Sequence, residues 1–148
     1  MTQAFEIVGK FDQPSDCQKL LYAPLAQAFT YRQTQVYLVE YEGDTKALEA
    51  FVGQVLQDPI TQDLRDGSSA AFSEAAFVLE YGMKAGALDL EKETILNYFR
   101  GLKQPGFQIT RLTLRTRLYV FGEHASAEPL IRDVCNAAIH TWEVRPAA

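Results

Sequence analysis

Apolar and polar positions follow two periods along this chain, and the periods alternate. Residues 4–10, AFEIVGK, are short and rich in strand formers, as are QVYLVEY (35–41) and AFVLEY (76–81). Between the first two runs, Pro14 and Ser15 predict a helix start. Ser15 with Gln18 three residues on matches a capping box. Leu21, Leu25 and Phe29 supply its stripe, and Pro24 predicts a kink inside it. A second helix follows Asp44, with Leu48, Phe51, Val52, Val55 and Leu56 at helical spacing. Asp58-Pro59 ends it, because the residue before proline avoids the helical region. The polar run RDGSSAAFSE (65–74) reads as a linker. After the strand at 76–81, Gly82 to Gly86 predict a turn. Asp89 caps a third helix whose first turn carries Glu91 and Glu93 and whose apolar face is Ile95, Phe99 and Leu102. Pro105-Gly106 stops it. Ser126 starts a last helix, with Ile131, Val134, Cys135 and Ala138 on one side. HTWEV (140–144) supplies a closing strand.

The extended segment from Phe107 to Phe121 changes phase. Phe107 and Ile109 are apolar at odd positions, whereas Leu112, Leu114, Leu118 and Val120 are apolar at even ones. Strand side chains alternate faces, so a bulge or bend is expected near Thr110. Arg111, Arg115 and Arg117 then form a basic row facing away from the local core.

Laid without a gap, residues 36–60 match 118–142, with Tyr37 on Tyr119 and Leu48 on Leu130. Strand, helix, strand, helix thus occurs twice. The expected fold is α+β: two fused β-α-β-α repeats forming a pseudo-dimer, a largely antiparallel sheet, and helices on one face. Repeat 1 spans about 4–64, the linker about 65–74 and repeat 2 about 75–146, within one domain of residues 1–148. Further pairing into a homodimer through sheet edges stays open.

Composition narrows the classes. With 47% hydrophobic residues, 22% charged and a net charge of −5, the chain carries enough apolar surface for a core, which excludes disorder. Its size predicts about 7,600 Å² of exposed surface when folded. The acidic balance argues against nucleic acid as a partner. No apolar run approaches the ~20 residues of a membrane helix. The N-terminus lacks a basic region followed by an apolar one, which predicts no secretory leader and a cytoplasmic location. Cys17 and Cys135 lie far apart in predicted helices, which suits reduced thiols.

Reactive groups are sparse. His124 and His140 are single and distant, unlike zinc ligands. The glycines form no phosphate-binding motif. Cys135 sits on an apolar helix face. Cys17 lies in a predicted first turn, where a helix dipole lowers a thiol pKa, but has no evident histidine partner. The acidic cluster Asp89, Glu91 and Glu93 fits helix-start chemistry. The expectation is no catalytic or metal residue, with the Arg111, Arg115 and Arg117 row as a contact strip for an acidic partner.

The segment VLEYGMKAGALDLEKETILNYFRGLKQPGFQITRLTLRTRLYVFG (78–122) resembles the PurS subunit of phosphoribosylformylglycinamidine synthase. The family's turn reads here Gly86-Ala87-Leu88-Asp89, and its helix exit Pro105-Gly106-Phe107. Residues 36–60 look like the other half of the unit, ending in Asp58-Pro59. The family's proline after the turn is Leu90 here, and its Val-Arg-x-Gly-Lys element is replaced around Leu112 to Thr116. The duplication resembles the tandem form, the N-terminal domain of the large single-chain enzyme. The resemblance implies a non-catalytic module in purine biosynthesis. It would bridge the ATP-dependent synthetase and glutaminase parts that convert formylglycinamide ribonucleotide, ATP and glutamine to formylglycinamidine ribonucleotide. ATP and magnesium would belong to the synthetase, with no cofactor in this chain. Two other readings stay open. One is a small-molecule-binding regulatory domain of repeated β-α-β units. The other is a small α+β-barrel enzyme using a histidine or Cys17.

Overall fold

The alternating runs around Tyr37 and Leu114 pair with each other and set the architecture. The computed structural model describes residues 1–147. Its strands are β1 (Thr2–Gly9), β2 (Ser15–Asp16), β3 (Thr30–Gly43), β4 (Gln62–Asp66), β5 (Phe77–Met83), β6 (Phe107–Phe121) and β7 (His140–Arg145). Its α-helices are α1 (Thr45–Phe51), α2 (Leu90–Arg100) and α3 (Glu128–Val134). The sheet runs β4-β1-β3-β6-β5-β7, with β2 also on β3, and its ladders are antiparallel.

The longest ladder joins β3 to β6, from Thr30 opposite Phe121 to Gly43 opposite Phe107. Its register slips once: Glu40 faces Arg111 and Tyr41 faces Ile109, which leaves Thr110 as the extra residue. This is the expected bulge. It lets Phe107 and Ile109 share one core with Leu112 and Leu114 despite the change of parity. At the end of the ladder Gly43 has φ +110°, and a Cβ there would lie 2.7 Å from the Gly106 carbonyl oxygen, so only glycine fits.

All three helices cover the same sheet face. One core joins α1 and α2 to it through Leu48, Phe51, Val52, Ile95 and Phe99, packed on Phe5, Tyr37, Val39 and Leu114. Phe51 meets the Phe99 and Phe107 rings edge-on. The other core joins α3 and the segment around Cys17 to Leu79, Leu118 and Val120, with Leu130 fully buried. Each core therefore takes one helical segment from before the 67–76 loop and one from after it. The cap at Asp89 forms as expected, accepting from the Lys92 amide at 3.1 Å. The Asp44 carboxylate caps α1 through the Lys46 amide at 2.9 Å.

Several expectations are corrected. The predicted helix from Ser15 is a short strand followed by one 3₁₀ turn, Cys17–Leu20. Asp16 caps it, not Ser15. Gln18 turns forward instead of back to its cap: its amide donates to the Ala23 carbonyl and accepts from the Leu25 amide, fixing the irregular chain around Pro24. The predicted second helix is α1 only to Phe51, and then widens into a π-helical turn, Val52–Leu56. The linker begins later than residue 65, because QDLRD (62–66) forms edge strand β4 on β1. The last helix starts at Glu128, two residues past the expected Ser126.

The gap-free overlay of 36–60 on 118–142 also fails in its strands. Tyr37 lies opposite Leu114 on the helix-covered face, whereas Tyr119 lies opposite Arg32 on the other face. One residue joins β3 to α1, but a longer loop joins β6 to α3, so matching Leu48 to Leu130 throws the strands out of phase.

The total accessible surface is 8603 Å², above the size-based expectation, as suits a two-layer molecule whose second sheet face is only partly covered. Deleting Thr110 should close the bulge and leave Phe107, Ile109, Leu112 and Leu114 on one face, because their positions then alternate without a break. Its urea midpoint should therefore stay close to that of Thr110→Ala, and a large fall would show that the bulge itself is needed. Leu48→Ala and Leu130→Ala should each cost about 2–5 kcal/mol in urea unfolding.

Candidate interaction site

The sheet face without helices carries charge where a core would be expected. Glu6, on β1 between Phe5 and Ile7, points away from them and is fully buried. Burying a carboxylate is costly unless hydrogen bonds and opposite charge replace its water. Both Glu6 oxygens receive two donors. Oε1 accepts from Arg65 Nη1 and from Arg117 Nη1 at 3.1 Å. Oε2 accepts from the Thr34 and Tyr119 hydroxyls, each at 2.6 Å.

Arg117 is the hub. Its Nε donates to Glu80 Oε1 at 2.7 Å and its Nη2 to the Gly67 carbonyl at 2.7 Å. Arg145 Nη2 reaches the same Glu80 oxygen at 3.1 Å, and Arg115 Nε lies 3.8 Å from Glu80 Oε2. Burial opposes the Arg117 charge, but the Glu80 bond and the Glu6 carboxylate more than offset it, so its pKa lies above the ordinary value. Burial likewise raises the Tyr119 phenol, which stays protonated and donates to Glu6. Among the described residues, no buried side-chain polar atom lacks a partner.

The loop after β4 roofs half of this face. Arg65 donates to the Ser69 carbonyl at 2.7 Å, the Ala71 amide donates to the Tyr119 hydroxyl at 2.9 Å, and Phe72 packs edge-on against Tyr119. The other half is bare. There Thr2, Leu38, Glu40, Glu80, Arg111, Thr113 and Arg115 line an open depression of about 420 Å³.

The expected row of arginines is therefore split. Arg111 is exposed, 3.8 Å from Glu40. Arg115 is mostly covered, held by the Thr141 hydroxyl at 2.8 Å and by Glu80. Arg117 is 4% exposed and committed inside the fold, so it offers no contact surface. Glu6, Glu80 and Arg65 were not singled out from the sequence. The available signal was a lone charge inside an apolar strand, as in AFEIVG and FVLEYG.

The motif positions are structural. Gly86 has φ +87° and leads into the Asp89 cap. Leu88 is exposed. Asp58 accepts from the Ile60 amide at 3.0 Å and the Thr61 hydroxyl at 2.8 Å, and the Pro59 carbonyl accepts from Lys10. His140 accepts the Asn136 amide at 2.9 Å and meets Tyr81 edge-on. Cys17 and Cys135 are free and buried in one core cluster. Burial, with help from Asp16, pushes the Cys17 thiol up to about 12, the opposite of an activated nucleophile.

Among the described residues, no group of His, Cys, Asp and Glu could hold a metal, and no helix is long and apolar enough to cross a membrane. Comparison with protein-family models, curated proteins and solved structures found no significant match.

Removing Arg117 leaves Glu6 buried with too little charge compensation. Arg117→Gln should cost about 3–5 kcal/mol in urea unfolding. Arg111→Glu, at an exposed pair, should change stability by no more than about 0.5 kcal/mol. The buried thiol gives a signed pH dependence. In the unfolded chain it ionises near 9.0, but in the native protein only near 12. Between these values the unfolded state binds fewer protons, so stability present below pH 9 is lost as pH rises toward 12. Cys17→Ala should flatten that part of a stability–pH curve by one proton.

Proposed function

We propose that this chain is a duplicated, non-catalytic interaction module of the PurS type, holding the synthetase and glutaminase parts of phosphoribosylformylglycinamidine synthase. One observation carries the reading: the strand order is a palindrome in connectivity. Before the 67–76 loop, β1 lies between β4 and β3. After it, β5 lies between β7 and β6. In each part the first strand is followed by a crossing segment, the long strand, a helix and the outer strand. The two long strands meet at the centre.

This supports a pseudo-dimer by connectivity, although the residue-by-residue overlay does not hold. The 3₁₀ turn at Cys17 occupies the place of α2, and α1 that of α3. The two segments that carry the PurS resemblance form a turn and a helix exit, with Gly86 and Gly106 at positive φ and Phe107 in the core, which supports the reading. The bare half of the polar face, with Arg111 and Glu40 at its rim, is the surface we assign to a partner.

The test is co-purification of the intact protein with the synthetase and glutaminase of its own cell. Retention of either supports the reading. Retention of neither, with the protein folded, overturns it. Arg111→Glu should weaken retention several-fold without moving the urea midpoint. Unchanged retention would remove Arg111 from the contact.

A further inference from the structure

Beneath the roofing loop lies a cavity of about 440 Å³ that the interaction reading does not use. Ser68, Ser69, Ser73, Arg117, Tyr119 and Arg145 are its polar lining. No acidic residue lines it, whereas Glu40 and Glu80 line the depression beside Arg115.

Charge does not balance in the network behind this cavity. The guanidiniums of Arg65, Arg115, Arg117 and Arg145 all lie within ion-pair distance of only two carboxylates, Glu6 and Glu80. The network as a whole is net positive, with Arg117 and Arg145 lining this cavity and Arg115 the neighbouring depression. Glu143, across the ladder from Glu80, is exposed and makes no ion pair among the described residues. Arg145 spends one N–H on Glu80, and a guanidinium has five. The Ser69 hydroxyl accepts from Arg65 at 3.0 Å, which leaves its own hydrogen to donate.

We propose that this cavity binds a phosphate monoester. A phosphate of this kind carries about −1.5 to −2 at pH 7, a charge that a net-positive network favours. Arg145 supplies a planar fork, Arg117 a fixed buried charge, and the serine hydroxyls neutral donors. The volume lies within the ~300–1,000 Å³ range of small-molecule sites, so a sugar-sized group fits beside the phosphate. The site is independent of any synthetase partner.

The experiment is thermal-shift titration of the whole protein with inorganic phosphate and with ribose 5-phosphate, against sodium chloride at equal ionic strength. Saturable stabilisation by phosphate, stronger with ribose 5-phosphate, is expected. A response equal to that of chloride for both overturns the site. Arg145→Gln should weaken binding about tenfold or more. Ser73→Asp, an exposed change that puts a carboxylate at the cavity, should abolish binding while the unliganded protein melts no lower than the parent. If either variant binds like the parent protein, the site is not this cavity.

Discussion

A single buried ion pair, Glu6 with Arg117, decides how this sheet is put together. The two residues come from opposite ends of the chain, on β1 and β6, with β3 between them. Thr34 on β3 completes the Glu6 shell, Glu80 on β5 anchors Arg117, and Arg65 on β4 closes the network. One charge cluster therefore touches every strand from β4 to β5. Buried pairs of this kind add little net stability, since desolvation consumes most of the attraction. They do penalise alternatives heavily. Slipping any of these strands by one residue would leave a charge buried without its partner. The network acts on register, and the hydrophobic cores on the opposite face supply the driving force.

How much of this was legible follows from which signals are local. Alternation located β1, β3, β5 and β6, and the parity change placed the bulge at Thr110, because both depend on near neighbours in sequence. The Asp89 cap was legible for the same reason. The first helix was not, because Pro24 and the forward bonds of Gln18 outcompeted a local capping pattern. Strand β4 was hidden because an edge strand needs only one inward apolar side chain, here Leu64, and QDLRD otherwise reads as polar. The charge network was invisible as a network. Glu6 and Arg117 alone lie 111 positions apart, and only the fold brings them together.

The two sheet faces divide the work. Helices and aliphatic side chains fill one, where Phe51, Phe99 and Phe107 pack ring against ring. The other keeps polar groups that the interior would otherwise exclude, and it is roofed only where the loop supplies carbonyls to Arg65 and Arg117. That loop is the connection between the two similarly wired parts of the chain. A connection that only needed to span the distance would not require three serines or contacts to the network.

The asymmetry between the two parts matters as much as their likeness. In the first part the crossing segment is a 3₁₀ turn with irregular chain, whereas in the second it is the helix α2. The loop covers one end of the polar face and leaves the other open. In a symmetric pair of subunits, both ends would be alike and any ligand or partner would meet two equal sites. Joining the halves in one chain removes that constraint. One end can then carry a cavity under a loop, lined by Arg117 and Arg145, and the other a depression without that cover, with the Glu6, Arg117 and Glu80 chain between them.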